Sequence, residues 1–177
     1  MTKSSLRALA VAAVGLLIAG AALAGDVRLD SPGGGFIVLT APAGWRHAKW
    51  PDRAHTLSFT PPTGKAFQVL VSSLGVPPAH VKPGLEVLRQ MVDEAARNAA
   101  PQSVEKTLRT EEFETATVQA RYFFATDRNP GPGQFKYLTQ GVALVQGAGI
   151  TFTILSNGDA NAVVAPALKM IRSARRE

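Results

Sequence analysis

The sequence predicts an α+β domain in which a central, mostly antiparallel β-sheet is covered by helices on both faces. Three observations support this prediction. Short β-branched and aromatic runs come first in the chain, a helical repeat follows near residues 83–99, and a second group of strand patterns precedes a last helical repeat. Strands and helices that are grouped in this way, rather than strictly alternating, are typical of an α+β domain.

The first strand patterns lie in residues 36–73. Residues 36–40 form a short apolar run, and residues 45–49 predict a second, shorter strand. Residues 56–60 and 67–73 flank the sequence Pro-Pro-Thr-Gly-Lys at residues 61–65. Proline and glycine favour a tight turn, so these two segments predict a hairpin.

Residues 83–99 change to helical spacing. Proline at position 83 suits a first helical turn, and Pro101 ends the pattern. The apolar positions fall on one face, and the charged positions on the opposite face predict a solvated surface with a weak Asp93–Arg97 pair. The apolar face comprises Leu85, Leu88, Val92 and Ala95, and the charged face comprises Glu86, Arg89, Asp93 and Arg97.

The second half of the chain predicts a three-stranded meander followed by a helix. Val118, Ala120, Tyr122 and Phe124 alternate with residues that face the other way. Residues 135–145 and 150–155 are apolar on both faces, which predicts central strands covered on two sides. The last helix carries Val164, Leu168 and Ile171, and Pro166 predicts that it begins or kinks there. Its basic end suits the negative pole of the helix dipole and comprises Lys169, Arg172, Arg175 and Arg176.

Residues 1–24 predict a secretory signal peptide that is cleaved after Ala24, which leaves residues 25–177 as a single domain. Lys3 and Arg7 precede an apolar run, and Ala22 and Ala24 fit the small-residue cleavage rule. A retained anchor is the alternative interpretation, although this run is shorter and richer in alanine than a membrane span requires. We therefore expect a periplasmic or secreted protein that does not span the membrane after cleavage.

Composition excludes several classes of function. The chain of 177 residues has no cysteine, which rules out a disulfide scaffold, thiolate metal sites, a cysteine nucleophile and a lipoprotein anchor. Its net charge of +6 is modest, and only one basic and aromatic cluster is present, so nucleic acid is not an expected partner.

Apolar and turn positions form a scattered pattern along residues 25–177, in segments 36–45, 57–64, 120–124, 137–141 and 152–155. This pattern resembles the PsbP-like (Mog-type) superfamily, including its exported bacterial DcrB-like members. It implies an α/β/α sandwich with matched aromatic residues in the core. It also implies a binding module rather than an enzyme, since no catalytic motif comes with the family pattern.

The best candidate site is the segment Arg46, His47, Lys49, Trp50, Arg53 and His55. A tryptophan beside arginine is typical of protein interfaces, because a large apolar ring and a planar cation can both be desolvated against a partner. The alternative is that Trp50 covers the sheet edge while the cations stay in water.

Two catalytic alternatives remain weaker. His47 and His55 need a third ligand for zinc, and only Asp52 is near in sequence. Glu112 and Glu114 share a strand face, as an acid–base pair requires, but nothing apolar surrounds them in the sequence to raise a pKa, so exposed charge at a sheet edge is the favoured interpretation. We find no serine-hydrolase or phosphate-loop motif.

We therefore expect an exported, non-enzymatic binding or accessory module of the bacterial cell envelope that contacts a protein partner and needs no cofactor or metal. The first alternative is a carrier of a small apolar ligand, such as a lipid, held between helix and sheet. The second alternative is a hydrolase that uses Glu112 and Glu114, or a metal bound at His47 and His55.

Overall fold

A computed structural model describes residues 24–62, 67–77, 84–158 and 160–177 of the chain. A short 3₁₀ turn, Ala100–Gln102, follows the first helix. The elements in chain order are β1 (Gly25–Asp30), β2 (Phe36–Ala41), β3 (Arg46–Lys49), β4 (Thr56–Thr60), β5 (Phe67–Gly75), α1 (Leu85–Ala99), β6 (Thr110–Glu114), β7 (Val118–Thr126), β8 (Tyr137–Val145), β9 (Ala148–Ser156), α2 (Ala160–Arg172) and β10 (Arg175–Arg176).

Seven of these strands form one antiparallel sheet in the order β3-β4-β5-β9-β8-β7-β6. The predicted β4–β5 hairpin and the predicted meander of β7, β8 and β9 are both confirmed. The alternation within β7 is also confirmed, because Tyr122 and Phe123 belong to hydrophobic clusters on opposite faces. Part of the predicted turn before β5 lies outside the described residues.

A second antiparallel sheet contains the first and last strands of the described chain, in the order β1-β2-β10. The sequence did not predict β1. It was also wrong about Arg175 and Arg176, which pair with β2 as β10 instead of ending the helix. Two ion pairs fasten these outer strands, Arg175 to Asp26 at 2.8 Å and Arg28 to Glu177 at 3.0 Å.

The prediction of helices on both faces of one central sheet is wrong. Strands make up 47% and helices 21% of the described fold, and there are two sheets instead of one. On one face, α1 packs against β6, β7 and β8 through Leu88, Val92 and Ala96. On the other face the second sheet supplies the layer that we had assigned to helices. Its apolar side chains Ile37 and Leu39 join the core there, beside α2.

The predicted solvated face of α1 is confirmed at Glu86 and Arg97, which are exposed, and is wrong at Arg89 and Asp93, which contact the sheet. Arg89 pairs with Glu112 at 3.0 Å, and Asp93 pairs with Arg121 at 2.7 Å. The predicted Asp93–Arg97 pair is not among the ion pairs of the described residues. The two sheet residues of these pairs, Glu112 on β6 and Arg121 on β7, have their Cα atoms opposite one another in the strand register. Both therefore lie under α1.

The last helix passes through Pro166 without ending there. Helix α2 begins at Ala160, so of the two predicted outcomes a start at Pro166 is wrong. Val164, Leu168 and Ile171 are all buried, as the helical spacing predicts.

Two predictions fall outside the described residues, namely residues 1–23 of the expected signal peptide and the helix start at Pro83. Export and the single-domain organisation stay predictions. None of the described helices combines the length and apolar character that a membrane crossing requires.

Candidate functional site

The six predicted site residues lie along one edge of the seven-stranded sheet, on β3 and the turn that follows it. We call residues 46–55 the basic edge. Arg46, His47 and Lys49 belong to β3, which is the outermost strand and is exposed at all four positions. The turn after it is closed by backbone hydrogen bonds: the Trp50 amide donates to the Thr56 carbonyl at 2.9 Å, and the Arg53 amide donates to the Trp50 carbonyl at 3.2 Å.

Two of the six side chains meet at Asp30, the last residue of β1. The Lys49 ammonium lies 2.8 Å from the Asp30 carboxylate, and the His55 ring Nδ1 donates to the Asp30 carbonyl oxygen at 3.1 Å. The hydrogen bond from Lys49 lowers the pKa of the Asp30 carboxyl, and the positive charge of Lys49 adds to this effect. These contacts brace the basic edge against the second sheet.

The other four side chains are not gathered into one group. The His47 ring packs against the Phe59 ring, with centroids 6.1 Å apart. Trp50 is half-buried, while Arg46 and Arg53 are exposed and form no ion pair with any described residue. The basic edge is therefore a row of cations along a strand and not an enclosed pocket.

The outer side of β3 presents backbone groups that pair with no other strand in the described part of the chain. In an antiparallel pair, successive residues direct their amides alternately toward the partner strand and away from it. Since the Trp50 amide points to β4, the amides of Lys49 and His47 point outward, on the side where no strand of the described residues pairs with β3. An open edge of this kind can accept an extended segment.

The geometry does not support a zinc site on the basic edge. Across the part of the chain that the structure describes, no group of three or more His, Asp or Glu residues could hold a metal ion. His47 packs against Phe59 and His55 is directed at a backbone carbonyl, so the two rings serve different contacts.

The acidic strand β6 forms the opposite edge of the same sheet. Glu112 accepts hydrogen bonds from Arg89 at 3.0 Å and from Arg121 at 3.3 Å, and these cations lower its pKa. Glu114 accepts from the Gln119 amide at 2.9 Å. A general acid at neutral pH needs a raised pKa, so the arrangement of Glu112 argues against an acid–base pair.

Sequence reasoning missed a cleft of about 600 Å³ between α2 and the β6–β7 end of the sheet. We call it the α2 cleft. It is bordered by residues before β6, by both strands, and by one side of α2. Its apolar lining comprises Phe124, Val164, Ala165 and Leu168, and its polar lining comprises Glu105, Thr107, Arg109, Glu111, Tyr122 and Arg172.

Tyr122 lies at the base of the α2 cleft and is only 3% exposed. Its hydroxyl donates a hydrogen bond to Glu111 Oε2 at 2.8 Å. Burial, together with the negative charge and hydrogen bond of Glu111, raises the pKa of Tyr122 to about 12. The phenol therefore stays protonated at neutral pH and acts as a hydrogen-bond donor.

The two carboxylates of the α2 cleft are already engaged. Glu111 also pairs with Arg109 at the mouth of the cleft. Glu105 accepts hydrogen bonds from the Thr126 amide at 2.9 Å and from its hydroxyl at 2.6 Å. Burial acts to raise the pKa of Glu105, but the hydrogen bonds from Thr126 outweigh it, and the pKa is lowered.

Among the described residues that line the α2 cleft, Arg172 is the cation that forms no ion pair with a carboxylate. Its guanidinium carbon lies 4.3 Å from the centroid of the Phe113 ring, a cation–π contact. No carboxylate of a described residue lies within 4.0 Å of it. Only one feature of the sequence pointed to this cleft. Strand alternation places Glu111 and Phe113 on the face of β6 opposite to Glu112, and this is the face that the cleft borders.

No protein-family model matches the chain, and a search of curated proteins finds no significant match. The resemblance to the PsbP-like superfamily therefore stays a prediction.

Proposed function

We propose that the protein is an exported, non-enzymatic binding module of the bacterial cell envelope that contacts a protein partner through its basic edge. The observation that carries this proposal is that β3 is an exposed outer strand with cationic side chains. Its ligand would be an extended, acidic segment of the partner protein.

Backbone pairing supplies affinity in such a complex, and side chains supply selectivity. The outward amides of His47 and Lys49 would donate to the added strand, while Arg46 and Arg53 would attract its carboxylates. The contacts of Lys49 and His55 with Asp30 hold the edge in place before a partner arrives. A braced edge loses less conformational freedom on binding than a mobile loop does.

A pair of substitutions at one position tests this proposal. His47→Ala removes the imidazole and keeps the backbone amide, whereas His47→Pro removes the amide as well. Proline is tolerated on an edge strand where the N–H faces solvent. We expect crosslinking in intact cells to recover the same partner with the wild type and His47→Ala, and to lose that partner with His47→Pro. Circular dichroism checks that both variants fold, and equal recovery from both contradicts the proposal.

The second candidate function is a carrier of a small apolar ligand, such as a lipid. The α2 cleft favours it, because apolar side chains from helix and sheet line part of an open cleft whose volume of about 600 Å³ is within the usual range of small-molecule sites, roughly 300–1,000 Å³. Native mass spectrometry of protein isolated from the envelope tests it by revealing a co-purified ligand. The hydrolase alternative has the least support, since both Glu112 and Glu114 are engaged in structural contacts.

A further inference from the structure

Arg172 ends α2 with its guanidinium stacked on Phe113. Stacking occupies one flat face of the guanidinium but leaves the N–H groups around its rim free to donate. A planar, pre-oriented cation with free donors suits a carboxylate, which it can bind through two parallel hydrogen bonds.

The remaining charges of the α2 cleft do not compete strongly for this cation. Arg109 and Glu111 are paired with each other, and Glu111 also accepts the Tyr122 hydroxyl proton in a hydrogen bond. Glu105 is directed at Thr126. Among the described residues that line the cleft, Arg172 is therefore the cation without a carboxylate partner.

The wall beside Arg172 is apolar. Leu168, one turn earlier on α2, and Val164, one turn before that, face the cleft together with Phe124 of β7. A hydrocarbon chain laid along these three side chains would leave water while its charged end remained at Arg172. A volume of about 600 Å³ suits one chain better than two.

We infer that the α2 cleft binds a single-chain anionic amphipath of the fatty-acid class, with its carboxylate on Arg172 and its chain against Phe124, Val164 and Leu168. This inference rests on the carrier function given above as the second candidate. It adds the chemical class of the ligand and the residue that selects it.

Fluorescence titration with two matched probes tests the inference. The probes are dansyl-labelled undecanoate and its uncharged methyl ester, which share the chain and differ in the anion. The variants are Arg172→Gln and, as a control, Lys169→Gln, which removes an exposed cation from the same helix on the side that borders a different groove. Circular dichroism confirms that each variant folds.

We expect the wild type to bind the undecanoate roughly tenfold more tightly than the ester, as for a hydrogen-bonded charge at a partly exposed site. We expect Arg172→Gln to abolish that preference and Lys169→Gln to keep it. Equal affinity for acid and ester, or equal effects of the two substitutions, overturns the inference and leaves the carrier function standing. No binding of either probe by the wild type overturns both.

Discussion

Gly141, in the middle of β8, is the position where the packing of the large sheet is most sensitive to one added methyl group. Its register partners are Tyr122 on β7 and Phe152 on β9. The rings of these two residues meet across the glycine, with centroids 6.1 Å apart. A Cβ atom at position 141 would lie 2.5 Å from Phe152 Cζ, 2.6 Å from Tyr122 Cβ and 2.6 Å from the Arg121 carbonyl oxygen.

We predict that Gly141→Ala destabilises the protein by about 1–3 kcal/mol, the usual cost of overpacking a core. The neighbours cannot move aside cheaply, because Tyr122 and Phe152 are almost fully buried and the carbonyl belongs to the adjacent strand. For a domain of this size, the loss lowers Tm by roughly 2–12 °C.

Gly149, on the neighbouring strand β9, offers a matched control. A Cβ atom there would meet Leu74 Cβ at 3.4 Å, an ordinary contact with a side chain that is 51% exposed. We expect Gly149→Ala to change the free energy of unfolding by no more than about 0.5 kcal/mol. Urea unfolding followed by circular dichroism measures both variants. If Gly141→Ala is as stable as Gly149→Ala, the described packing of β7, β8 and β9 is wrong.

Three further predictions concern buried contacts, each measured by urea unfolding. Tyr122→Phe removes the hydrogen bond to Glu111 and should cost about 1–3 kcal/mol at neutral pH. Folding raises the pKa of Tyr122 from 10.0 to about 12. The contribution of the Tyr122 hydroxyl to the free energy of unfolding is therefore complete below pH 10 and is lost as pH rises through 12. The wild type should therefore lose stability over that range more steeply than Tyr122→Phe, and parallel pH profiles would contradict this. Arg121→Ala should lower the free energy of unfolding by about 1–3 kcal/mol, because the Arg121 side chain is only 16% exposed and joins α1 to β6 and β7. An unchanged free energy of unfolding would rule out that role. Leu88→Ala should lower the free energy of unfolding by about 2–5 kcal/mol, because Leu88 is buried. Met91→Ala, at a position that is 41% exposed, should leave it nearly unchanged. Equal effects of the two substitutions would mean that α1 packs on another face.

Local patterns predicted most of the large sheet. Residues 56–60 were predicted as a strand with the bounds that the structure has, and the helical spacing near residue 85 matched α1 to its last residue. Alternation and helical spacing are properties of a few neighbouring residues. They can therefore be read without knowing which strand pairs with which.

The second sheet could not be read in this way. The apolar run at residues 36–40 predicted a strand but not its partners, which lie at the two ends of the described chain. Strand β10 has only two residues, both arginine. A basic pair after a helix has a sufficient local explanation in the helix dipole, so nothing in the sequence pointed to pairing with Val38.

The α2 cleft was missed for a related reason. Glu111, Tyr122 and Arg172 each have an ordinary local interpretation as an edge charge, a core aromatic residue and a helix-end cation. They line one cleft only because β6 pairs with β7 and α2 returns across that end of the sheet. The basic edge, in contrast, is contiguous in sequence and could be named from it.

Residue-resolved hydrogen exchange at β3 tests the proposed binding mode most directly. In the free protein, the outward amides of His47 and Lys49 should exchange quickly, because no strand within the described ranges covers them. In the complex with the partner recovered by crosslinking, both amides should become protected, while the exposed helix residue Arg97 should be unchanged. A complex in which His47 and Lys49 exchange as fast as in the free protein would contradict binding through the basic edge.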